Sequence, residues 1–408
     1  MTDIQKENKS GGKVPNRGGS VNFPRLRFPE FEGEWESKPL REVVKINQGL
    51  QIAISERSTE NKTGSYFYIT NEFLKAGSGK KYYILNPPQS VICNEKDILM
   101  TRTGNTGQVV TNVSGAFHNN FFKVAYPEYI DKIFLYNFLK LNKTQNQILR
   151  FAGTSTIPDL NHSDFYRIII SLPSNKEQQK IASFLSLIDE RITTQSKIIE
   201  GLEKLKVATA KKIFSQEFRF KDNNGNDFSK WEEMKLKNIV IIQMGQSPDS
   251  SSYNFENIGI PLIQGNADIL NRKSNPRQYT SKPTKFCDVG DLLLTVRAPV
   301  GYVGKSKHYA CIGRGICSVK NNDKSILEFI YQFLLYFEDK WKSIEQGSTF
   351  TAVNSSDINS INILLPSIPE QTKIANFLSA IDSKIDMENQ LLQKLEEQKK
   401  FLLQNMFV

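Results

Sequence analysis

Several short motifs contain residue types that could perform catalysis, but each lacks a required residue. Asn86-Pro-Pro-Gln89 would need an aromatic residue in place of Gln89 to stack on a flipped base. Gly304-Lys305-Ser306 is similar to the end of a phosphate-binding loop, yet Pro299 stands where that loop needs its first glycine. The sequence has no serine-hydrolase or HExxH motif. The Asp…Glu-x-Lys pattern of nucleases is too loose to indicate or to exclude a nuclease. We therefore predict a non-catalytic binding protein.

The residues that commonly bind metals are scattered along the chain. The cysteines and histidines are Cys93, Cys287, Cys311, Cys317, His118, His162 and His308. None forms a Cys-x-x-Cys pair, so the pattern predicts neither a disulfide framework nor a zinc site. We interpret the thiols as small buried groups in a reducing cytosol and predict no catalytic residue, no metal and no cofactor on this chain.

The composition indicates a multidomain protein with a basic surface. The 408 residues predict about two to four domains. A formal net charge of +10 favours a polyanionic partner such as nucleic acid, although a merely soluble basic protein would carry the same charge. The sequence has no long apolar run and no signal peptide, and residues 1–22 are polar and Gly-rich. We expect a disordered leader and a cytoplasmic protein that does not bind membranes.

The elements that would position binding residues are revealed by an internal repeat. LPSNKEQQKIASFLSLIDERI, from Leu172 to Ile192, returns 193 residues later as LPSIPEQTKIANFLSAIDSKI, from Leu365 to Ile385, with 14 of 21 positions identical. The regions before the repeats also begin alike, with Arg27-Phe28 before Trp35 and Arg219-Phe220 before Trp231. The chain is therefore a tandem of two half-molecules whose intervening regions have diverged.

Short apolar runs separated by Gly, Pro and Asn predict that both variable regions are β-rich mixed domains. The predicted strands are Tyr66–Thr70, Tyr82–Leu85, Asp97–Thr101, Val109–Asn112, Ile239–Met244, Pro261–Gln264, Asp291–Val296 and Gly301–Val303. Each region then has a predicted helix (132–151 and 326–346) and a strand (166–172 and 358–365). DILMTRTGNTG, from Asp97 to Gly107, aligns with DLLLTVRAPVG, from Asp291 to Gly301, as a strand that runs into a glycine-containing loop.

Apolar residues from Ile181 onward, and from Ile374 in the second copy, alternate in steps of four and three, the heptad pattern of a coiled coil. The predicted seam residues are Ile181, Leu185, Ile188, Ile192, Ile199, Leu202, Ile374, Leu378, Ile381, Ile385, Leu392 and Leu395. Gln195 and Glu388 fall at the same seam position, as do Lys206 and Lys399. These polar residues either fix the register or lie where the seam faces solvent.

One helix cannot bury its own apolar stripe, so we expect the two long helices to pack on each other. If the variable regions sit at opposite ends, this coiled coil is antiparallel and intramolecular. A parallel homodimer is the alternative, and it is less economical because the chain already contains a matching partner. The predicted fold class is α+β, with two β-rich mixed domains separated by two long helices.

The helix motif LPS-x-x-EQ-x-KIA-x-FLS-x-ID, present twice, resembles the specificity subunit of type I restriction–modification systems. The two strand–loop segments and Gly245-Gln-Ser-Pro248 with Pro261-Leu-Ile-Gln264 also look like that family. The first variable region departs from the pattern, because it has Ile46-Asn-Gln-Gly49 at the corresponding place. The resemblance divides the chain into a leader (1–22), target recognition domain 1 (23–174), helix 1 (175–215), target recognition domain 2 (216–367) and helix 2 (368–408).

The resemblance implies that each recognition domain reads one half of a split double-stranded DNA target. The helices would set the spacing and dock two modification subunits, which carry S-adenosylmethionine and methylate adenine. Two restriction subunits would add translocation and cleavage with ATP and Mg. This chain would thus be a non-catalytic subunit required for both methylation and restriction. The alternatives are a single-chain restriction or methylation enzyme with its own active site, and a coiled-coil adaptor that binds no nucleic acid.

Arg bonds guanine bidentately, and Asn or Gln does so with adenine, whereas Lys and Arg contacts to phosphate supply affinity. We therefore expect DNA contacts near the glycine-containing loops. The candidate DNA-binding residues are Arg102, Thr103, Asn105, Asn119, Asn120 and Lys123 in the first region and Gln264, Asn266, Arg297, Lys305 and Arg314 in the second. Any single candidate has the alternative of being an ordinary solvated loop residue.

Overall fold

The computed structural model describes residues 22–75, 79–153, 157–345 and 352–408. The leader predicted for residues 1–22 lies outside this part of the chain, apart from Asn22. The described residues form two compact units. Unit 1 contains the chain up to Thr194 together with Gln393–Val408, and unit 2 contains Gln195–Leu392. The boundaries predicted between recognition domains and helices stay a prediction.

Unit 1 is built from short strands and four short helices, followed by a long helix that continues into unit 2. The strands are β1 (Glu36–Pro39), β2 (Lys45–Gln48), β3 (Ser65–Ile69), β4 (Tyr83–Leu85), β5 (Ile92–Cys93), β6 (Ile98–Thr101), β7 (Val109–Val110), β8 (Gly115–Phe117), β9 (Phe121–Ala125) and β10 (Ile169–Leu172). The helices are α1 (Leu40–Val43), α2 (Lys132–Lys140), α3 (Asn142–Ala152), α4 (His162–Phe165) and the long α5 (Asn175–Phe214).

Unit 2 has the same kinds of element with three additional strands. The strands are β11 (Glu232–Lys235), β12 (Val240–Met244), β13 (Tyr253–Asn254), β14 (Ile260–Ile263), β15 (Ile269–Leu270), β16 (Lys273–Ser274), β17 (Gln278–Thr280), β18 (Phe286–Cys287), β19 (Leu292–Thr295), β20 (Val303–Lys305), β21 (Ala310–Ile312), β22 (Ile316–Asn321) and β23 (Asn362–Leu365). The helices are α6 (Leu327–Glu345), α7 (Ser355–Asn359) and the long α8 (Ile368–Asn405), which ends in unit 1.

The two units share one sheet topology. In unit 1 the sheets have the orders β2-β9-β6-β7 and β4-β3-β8-β5, and β1 pairs with β10. Unit 2 repeats these orders as β12-β22-β19-β20 and β17-β14-β21-β18, and β11 pairs with β23. The pairings β3–β8 and β14–β21 are parallel, and the other pairings of the shared order are antiparallel. Matching topology indicates that the duplication covers the variable regions as well as the helices.

Strand β6 shows why its sequence is continuously apolar. Ile98 and Met100 pack in a core with Phe134 of α2, whereas Leu99 packs on the other face with Ile69 and other residues of the second sheet. A strand covered on both faces needs apolar residues at every position rather than at alternate ones. Leucines of β19 divide between two cores in the same way. Each central sheet is therefore sandwiched between helices and another sheet.

The Glu-Gln pair of the repeat joins each long helix to its unit. The buried carboxylate of Glu177 accepts hydrogen bonds from Arg27 (Nε–Oε1 2.8 Å, Nη2–Oε2 2.8 Å) and from the indole of Trp35 (3.3 Å). The amide of Gln178 accepts from the backbone N–H of Asp131 at 2.9 Å. Its Nε2 donates to a backbone carbonyl at the start of the helix. Because a buried carboxylate is costly without partners, this joint explains why the Arg, Trp and Glu residues occur together.

Unit 2 contains the same joint, built from the second copy of the repeat. Glu370 is fully buried and accepts from Arg219 (Nε–Oε1 3.1 Å, Nη2–Oε2 2.7 Å) and from the indole of Trp231 at 3.0 Å. Gln371 accepts from the backbone N–H of Ile326 at 2.9 Å. The recurrence accounts for the Arg-Phe and Trp residues with which both variable regions begin.

Within unit 2 the long helices pair in antiparallel fashion. The Nε2 of Gln195 donates to the backbone carbonyl of Glu388 at 3.0 Å, and Lys206 forms an ion pair with Asp382 at 2.5 Å. From the first contact to the second, residue numbers rise along α5 and fall along α8, so the two helices run in opposite directions. Gln195 is buried, so the alternative in which this seam position faces solvent is wrong. The predicted α+β fold class with an antiparallel intramolecular helix pair is confirmed.

The predicted seam residues are all buried or half-buried. Seven of them are buried, namely Ile181, Leu185, Ile188, Ile199, Ile374, Leu378 and Leu395. The other five are half-buried, namely Ile192, Leu202, Ile381, Ile385 and Leu392. No helix among the described residues is both long enough and apolar enough to cross a membrane.

Candidate nucleic-acid interface

The loops after β6 and β19 are closed by the same backbone hydrogen bonds. In unit 1, the N–H of Thr101 donates to Gln108 O (2.9 Å), and Gly107 N–H donates back to Thr101 O (2.8 Å). In unit 2, Thr295 N–H donates to Tyr302 O (3.0 Å), and its carbonyl accepts from the N–H of Gly301 (2.9 Å). Both glycines have positive φ, of 88° and 84°, which favours glycine over other residues. The sequence alignment of these two loops thus corresponds to a shared loop structure.

Arg102 and Thr103 are held by one carboxylate. The guanidinium of Arg102 binds Asp159 through two bonds (Nε–Oδ1 3.1 Å, Nη2–Oδ2 2.7 Å), and the Thr103 hydroxyl also donates to Asp159. The hydrogen bond from Arg102 is the main reason that the pKa of Asp159 lies below its usual value. Asn71 donates to the backbone carbonyl of Thr103 at 3.1 Å. Arg102 is therefore an anchor of the loop, and Thr103 is the next position outward.

Other unit 1 candidates meet at the same edge. The N–H of Arg102 donates to the carbonyl of Asn120 at 2.7 Å. The side chain of Asn119 donates to Gln51 Oε1 at 2.7 Å, and Asn105 is exposed in the loop after β6. These residues and Thr103 form the unit 1 loop cluster. Lys123 does not join it, because its ammonium donates to the carbonyl of Ile92 at 2.9 Å within the domain.

The unit 2 candidates form a corresponding loop cluster. The N–H of Gly313 donates to the carbonyl of Ile263 at 2.8 Å, which places Arg314 beside the loop that begins at Gln264. The N–H of Val296 donates to Gly315 O at 3.0 Å, which brings the loop containing Arg297 to the other side of Arg314. The N–H of Arg314 itself donates to the hydroxyl of Ser247 at 3.1 Å.

The side chains of the unit 2 candidates differ in their exposure. Arg297 and Arg314 are exposed, whereas Gln264 and Asn266 are half-buried. Gln264 donates to Gln278 Oε1 at 3.1 Å, and the side-chain oxygen of Asn266 has no hydrogen-bond partner among the described residues. These four residues and Ser247 define the unit 2 loop cluster. Two exposed guanidinium groups can bind phosphate or the edge of guanine.

Lys305 lies away from this cluster. It ends strand β20, forms an ion pair with Glu328 of α6, and its ammonium lies 4.2 Å from the centre of the Tyr331 ring. Gly304 and Lys305 therefore belong to a strand and not to a phosphate-binding loop. The ammonium groups of Lys305 and Lys123 are thus both bound within their own units, Lys305 by a carboxylate and Lys123 by a backbone carbonyl.

The loops that follow β2 and β12 differ in sequence, but each of them begins at a glycine. A Cβ atom on Gly49 would lie 2.3 Å from the carbonyl oxygen of His118, and one on Gly245 would lie 2.2 Å from that of Gly313. The N–H of Gly49 also donates to Phe121 O at the start of β9 (3.1 Å), and that of Gly245 donates to Ile316 O at the start of β22 (2.9 Å). Gly49 and Gly245 are therefore equivalent, and the loops after β2 and β12 begin in the same way despite their different sequences.

Sequence reasoning missed Gln51, Asn71, Asp159 and Ser247, which complete the two clusters. Gln51 and Ser247 stand two residues after the equivalent glycines, so recognition of that equivalence would have found them. Asn71 and Asp159 carry no such signal, because they come from loops distant in sequence that only folding brings together. Among the described residues, no group of three His, Cys, Asp or Glu side chains could hold a metal ion.

All four cysteines are free and buried. Burial raises the pKa of Cys93 to about 11 and that of Cys317 to about 12. These thiols are protonated at neutral pH and are poor nucleophiles. The loop clusters therefore offer hydrogen-bonding and cationic groups and no activated thiol.

Comparison with known proteins identifies the family. The pattern of the type I restriction modification DNA specificity domain matches the sequence twice, at residues 32–204 and 228–397. The chain belongs to this family. The two matches fall on the two halves of the repeat, and the resemblance inferred from the helix motifs is confirmed.

Specificity subunits of comparable length are similar along nearly the whole chain. A protein of Methanocaldococcus jannaschii named as the type I restriction enzyme MjaX specificity subunit is 30% identical, and the alignment covers 94% of this chain and 95% of that protein. The MjaVIII specificity subunit of the same organism is 27% identical, with coverage of 93% and 92%.

Solved structures of the same class share the fold. The S subunit of the type I restriction–modification system from M. genitalium superposes with a TM-score of 0.60 at 19% identity, covering 95% of this chain and 99% of the other. A chain from a structure on complex assembly and conformational transition of the type I R-M system gives a TM-score of 0.59 at 23% identity, with coverage of 90% and 96%. At these identities the likeness concerns the fold alone.

Proposed function

We propose that this chain is the non-catalytic, DNA-reading subunit of a type I restriction–modification complex, and that each unit reads one half of a bipartite double-stranded target. The observation that carries the proposal is the pair of loop clusters, which share their backbone hydrogen bonds and differ in their polar side chains. A shared scaffold with unlike side chains is what two recognition modules for two different half-sites need.

Charge supports DNA as the partner. The chain has a formal net charge of +10, and Arg297 and Arg314 are exposed at the edge of unit 2. Arg297 makes no ion pair with any residue in the described ranges, so its guanidinium does not have to leave an acidic partner to bind DNA. Basic residues elsewhere on the surface would contact phosphates and supply the affinity that does not depend on sequence.

The long helices would serve as spacer and docking surface. α5 has 40 residues, about 60 Å at 1.5 Å per residue. Four of its large apolar side chains are well exposed, namely Leu187 (60%), Ile198 (44%), Leu205 (54%) and Val207 (69%). The first three are spaced by 11 and 7 residues and so share one face of the helix, and an exposed apolar stripe of this kind is typical of a protein–protein contact. We propose that they bind the two modification subunits, which carry S-adenosylmethionine and methylate adenine, and that two ATP- and Mg-dependent restriction subunits complete the complex.

Exchange of one recognition domain tests the proposal. Residues 23–174 are replaced by the corresponding domain of another family member, the chain is assembled with its modification subunits, and the methylated sites are mapped by sequencing. We expect one half of the target to change and the other half and the adenine modification to persist. The reciprocal exchange of residues 216–367 should change the other half. Alteration of both halves by a single exchange would contradict the proposal, as would methylation by the isolated chain.

A further inference from the structure

Backbone hydrogen bonds give a residue-by-residue correspondence between the two loop clusters. The N–H of His118 donates to the carbonyl of Ile69 at 2.9 Å, as that of Gly313 donates to the carbonyl of Ile263 at 2.8 Å. His118 and Gly313 follow the equivalent strands β8 and β21. The next residues, Asn119 and Arg314, therefore occupy the same backbone position.

A second position comes from the loops after β6 and β19. Leu160 N–H donates to the carbonyl of Arg102, and Val353 N–H donates to that of Val296, both at 2.9 Å. The following residues make matching isolated bridges, Thr103 with Asp159 and Arg297 with Ala352. Thr103 and Arg297 are therefore equivalent, and Arg102 corresponds to Val296.

A third position lies in the loop after the equivalent glycines. Leu50 N–H donates to the carbonyl of Phe117 at 3.0 Å, and Gln246 N–H donates to that of Ile312 at 2.9 Å. Gln51 and Ser247 come next in the two chains. Each of them also forms a hydrogen bond with the first position of its own unit. The side chain of Gln51 accepts from the side-chain amide of Asn119, and the hydroxyl of Ser247 accepts from the backbone N–H of Arg314.

We propose that both units read DNA through these same three reading positions, occupied by Gln51, Thr103 and Asn119 in unit 1 and by Ser247, Arg297 and Arg314 in unit 2. The inference rests on the proposed function and adds the residues that determine specificity. Because these backbone hydrogen bonds are shared, side chains at one position start from the same place relative to the sheets. We therefore attribute a difference in the bases read to side-chain chemistry at these positions.

The chemistry of the reading positions differs sharply between the units. Unit 2 presents two arginines, which suit guanine, and unit 1 presents two amides and a hydroxyl, of which the amides suit adenine. We therefore expect guanine opposite Arg297 and Arg314 in one half-site and adenine opposite Asn119 or Gln51 in the other. Arg102 is left out of the reading set, because its equivalent in unit 2 is Val296, which has no polar side chain, and its bidentate bond to Asp159 positions the loop.

Exchange of one side chain between equivalent positions tests this inference. The Asn119→Arg chain is assembled with its modification subunits, and its methylated sites are compared with those of the wild type. We expect one base of the unit 1 half-site to shift toward guanine by about tenfold or more, which is the discrimination of one bidentate pair. The unit 2 half-site should be unchanged. An arginine fits this backbone position, since unit 2 carries Arg314 there.

A matched control separates reading from added charge. Asn146 is exposed on α3, so Asn146→Arg adds the same charge to unit 1 outside the three reading positions. If Asn119→Arg alters base preference no more than Asn146→Arg does, the inference is overturned. The proposed function would survive that result provided that domain exchange still changes one half-site, whereas a wild-type target that is not bipartite would contradict the function itself.

A second variant protects the test against misfolding of the first. Arg314 is exposed, and Arg314→Asn places in unit 2 the residue that unit 1 has at this position. We expect a loss of guanine preference by about tenfold at one base of the unit 2 half-site. Arg314→Lys keeps the charge but cannot bind guanine with the same planar fork, so it should restore overall affinity better than base preference. Unchanged preference in both variants would refute the assignment.

Discussion

At the scale of single residues, some candidate DNA-binding side chains are exposed, whereas others are bound to groups within the protein. Arg297 is exposed in the loop after β19, whereas Lys305 is bound to Glu328 and lies against Tyr331. Both residues carry the same charge and lie near glycines in the sequence. Only their environment in the folded chain distinguishes a residue that can contact DNA from one that holds a strand to a helix.

Arg297→Ala should weaken binding of the cognate target by about 1–3 kcal/mol, because one base-edge or phosphate contact is lost. Binding of a random duplex should change much less if the contact is to a base. Both affinities can be measured by fluorescence anisotropy with the assembled complex. Lys305→Ala is the control, and we expect it to lower the stability of unit 2 and to spare base preference. Unchanged affinity of Arg297→Ala for the cognate site would remove this residue from the interface.

The repeated joint gives a second prediction at this scale. Arg219→Ala should lower the free energy of unfolding by about 3 kcal/mol, because Glu370 is then buried without its ionic partner. Chemical denaturation of the full chain measures the change. Arg27→Ala removes the equivalent partner of Glu177 in unit 1 and should have a comparable effect. A loss below about 0.5 kcal/mol in both variants, the level of ordinary surface substitutions, would show that the joint does not stabilise the attachment of each long helix to its own unit.

At the scale of elements, the strands that the sequence predicted are present, but some of their ends differ and other strands were missed. The predicted strand 358–365 begins within the last two residues of α7, because Asn354 caps that helix and forms a capping box with Asp357 before β23 begins at Asn362. The helix predicted at 132–151 is interrupted at Leu141, between α2 and α3. β9 and β22 were not predicted, although each pairs with strands on both sides in its sheet. Their identity depends on distant partners rather than on a local pattern.

The polar seam positions lead to a prediction about the helix pair. Lys206 and Asp382 are 16% and 34% exposed, so their ion pair is less screened than a surface pair. A double-mutant cycle with Lys206→Ala and Asp382→Ala should give a coupling energy of about 1 kcal/mol in chemical denaturation.

The exposed pair of Glu200 with Lys204 on α5 is the matched control for that cycle. Its coupling should stay within about 0.5 kcal/mol, the value usual for exposed helix pairs. Equal coupling in the two cycles would mean that the seam pair contributes no more than an ordinary surface contact. The Lys399 and Asp189 pair in unit 1 repeats the seam pair and allows the measurement to be made twice.

At the scale of the whole molecule, the charge predicts how DNA binding responds to salt. If phosphate contacts supply most of the affinity, the logarithm of the association constant should fall linearly with the logarithm of salt concentration, by about 0.9 for each phosphate neutralised. Titration of a random duplex with the full chain between low and moderate salt measures the slope. A flat response would support the coiled-coil adaptor. The same titration with the cognate target separates base reading from the phosphate contribution.

The sequence by itself determined the duplication, the two long helices and the family, because these features depend on repeated local patterns of apolar and polar residues. It also placed most candidate residues in what the structure shows as the two loop clusters, since glycines mark sharp turns. Only the tertiary structure decided which candidates face outward. Arg102 and Lys123 are engaged by Asp159 and the carbonyl of Ile92, partners that lie 57 and 31 residues away. The equivalence of Asn119 with Arg314 likewise depends on hydrogen bonds between distant strands, and such bonds leave no trace in a local pattern.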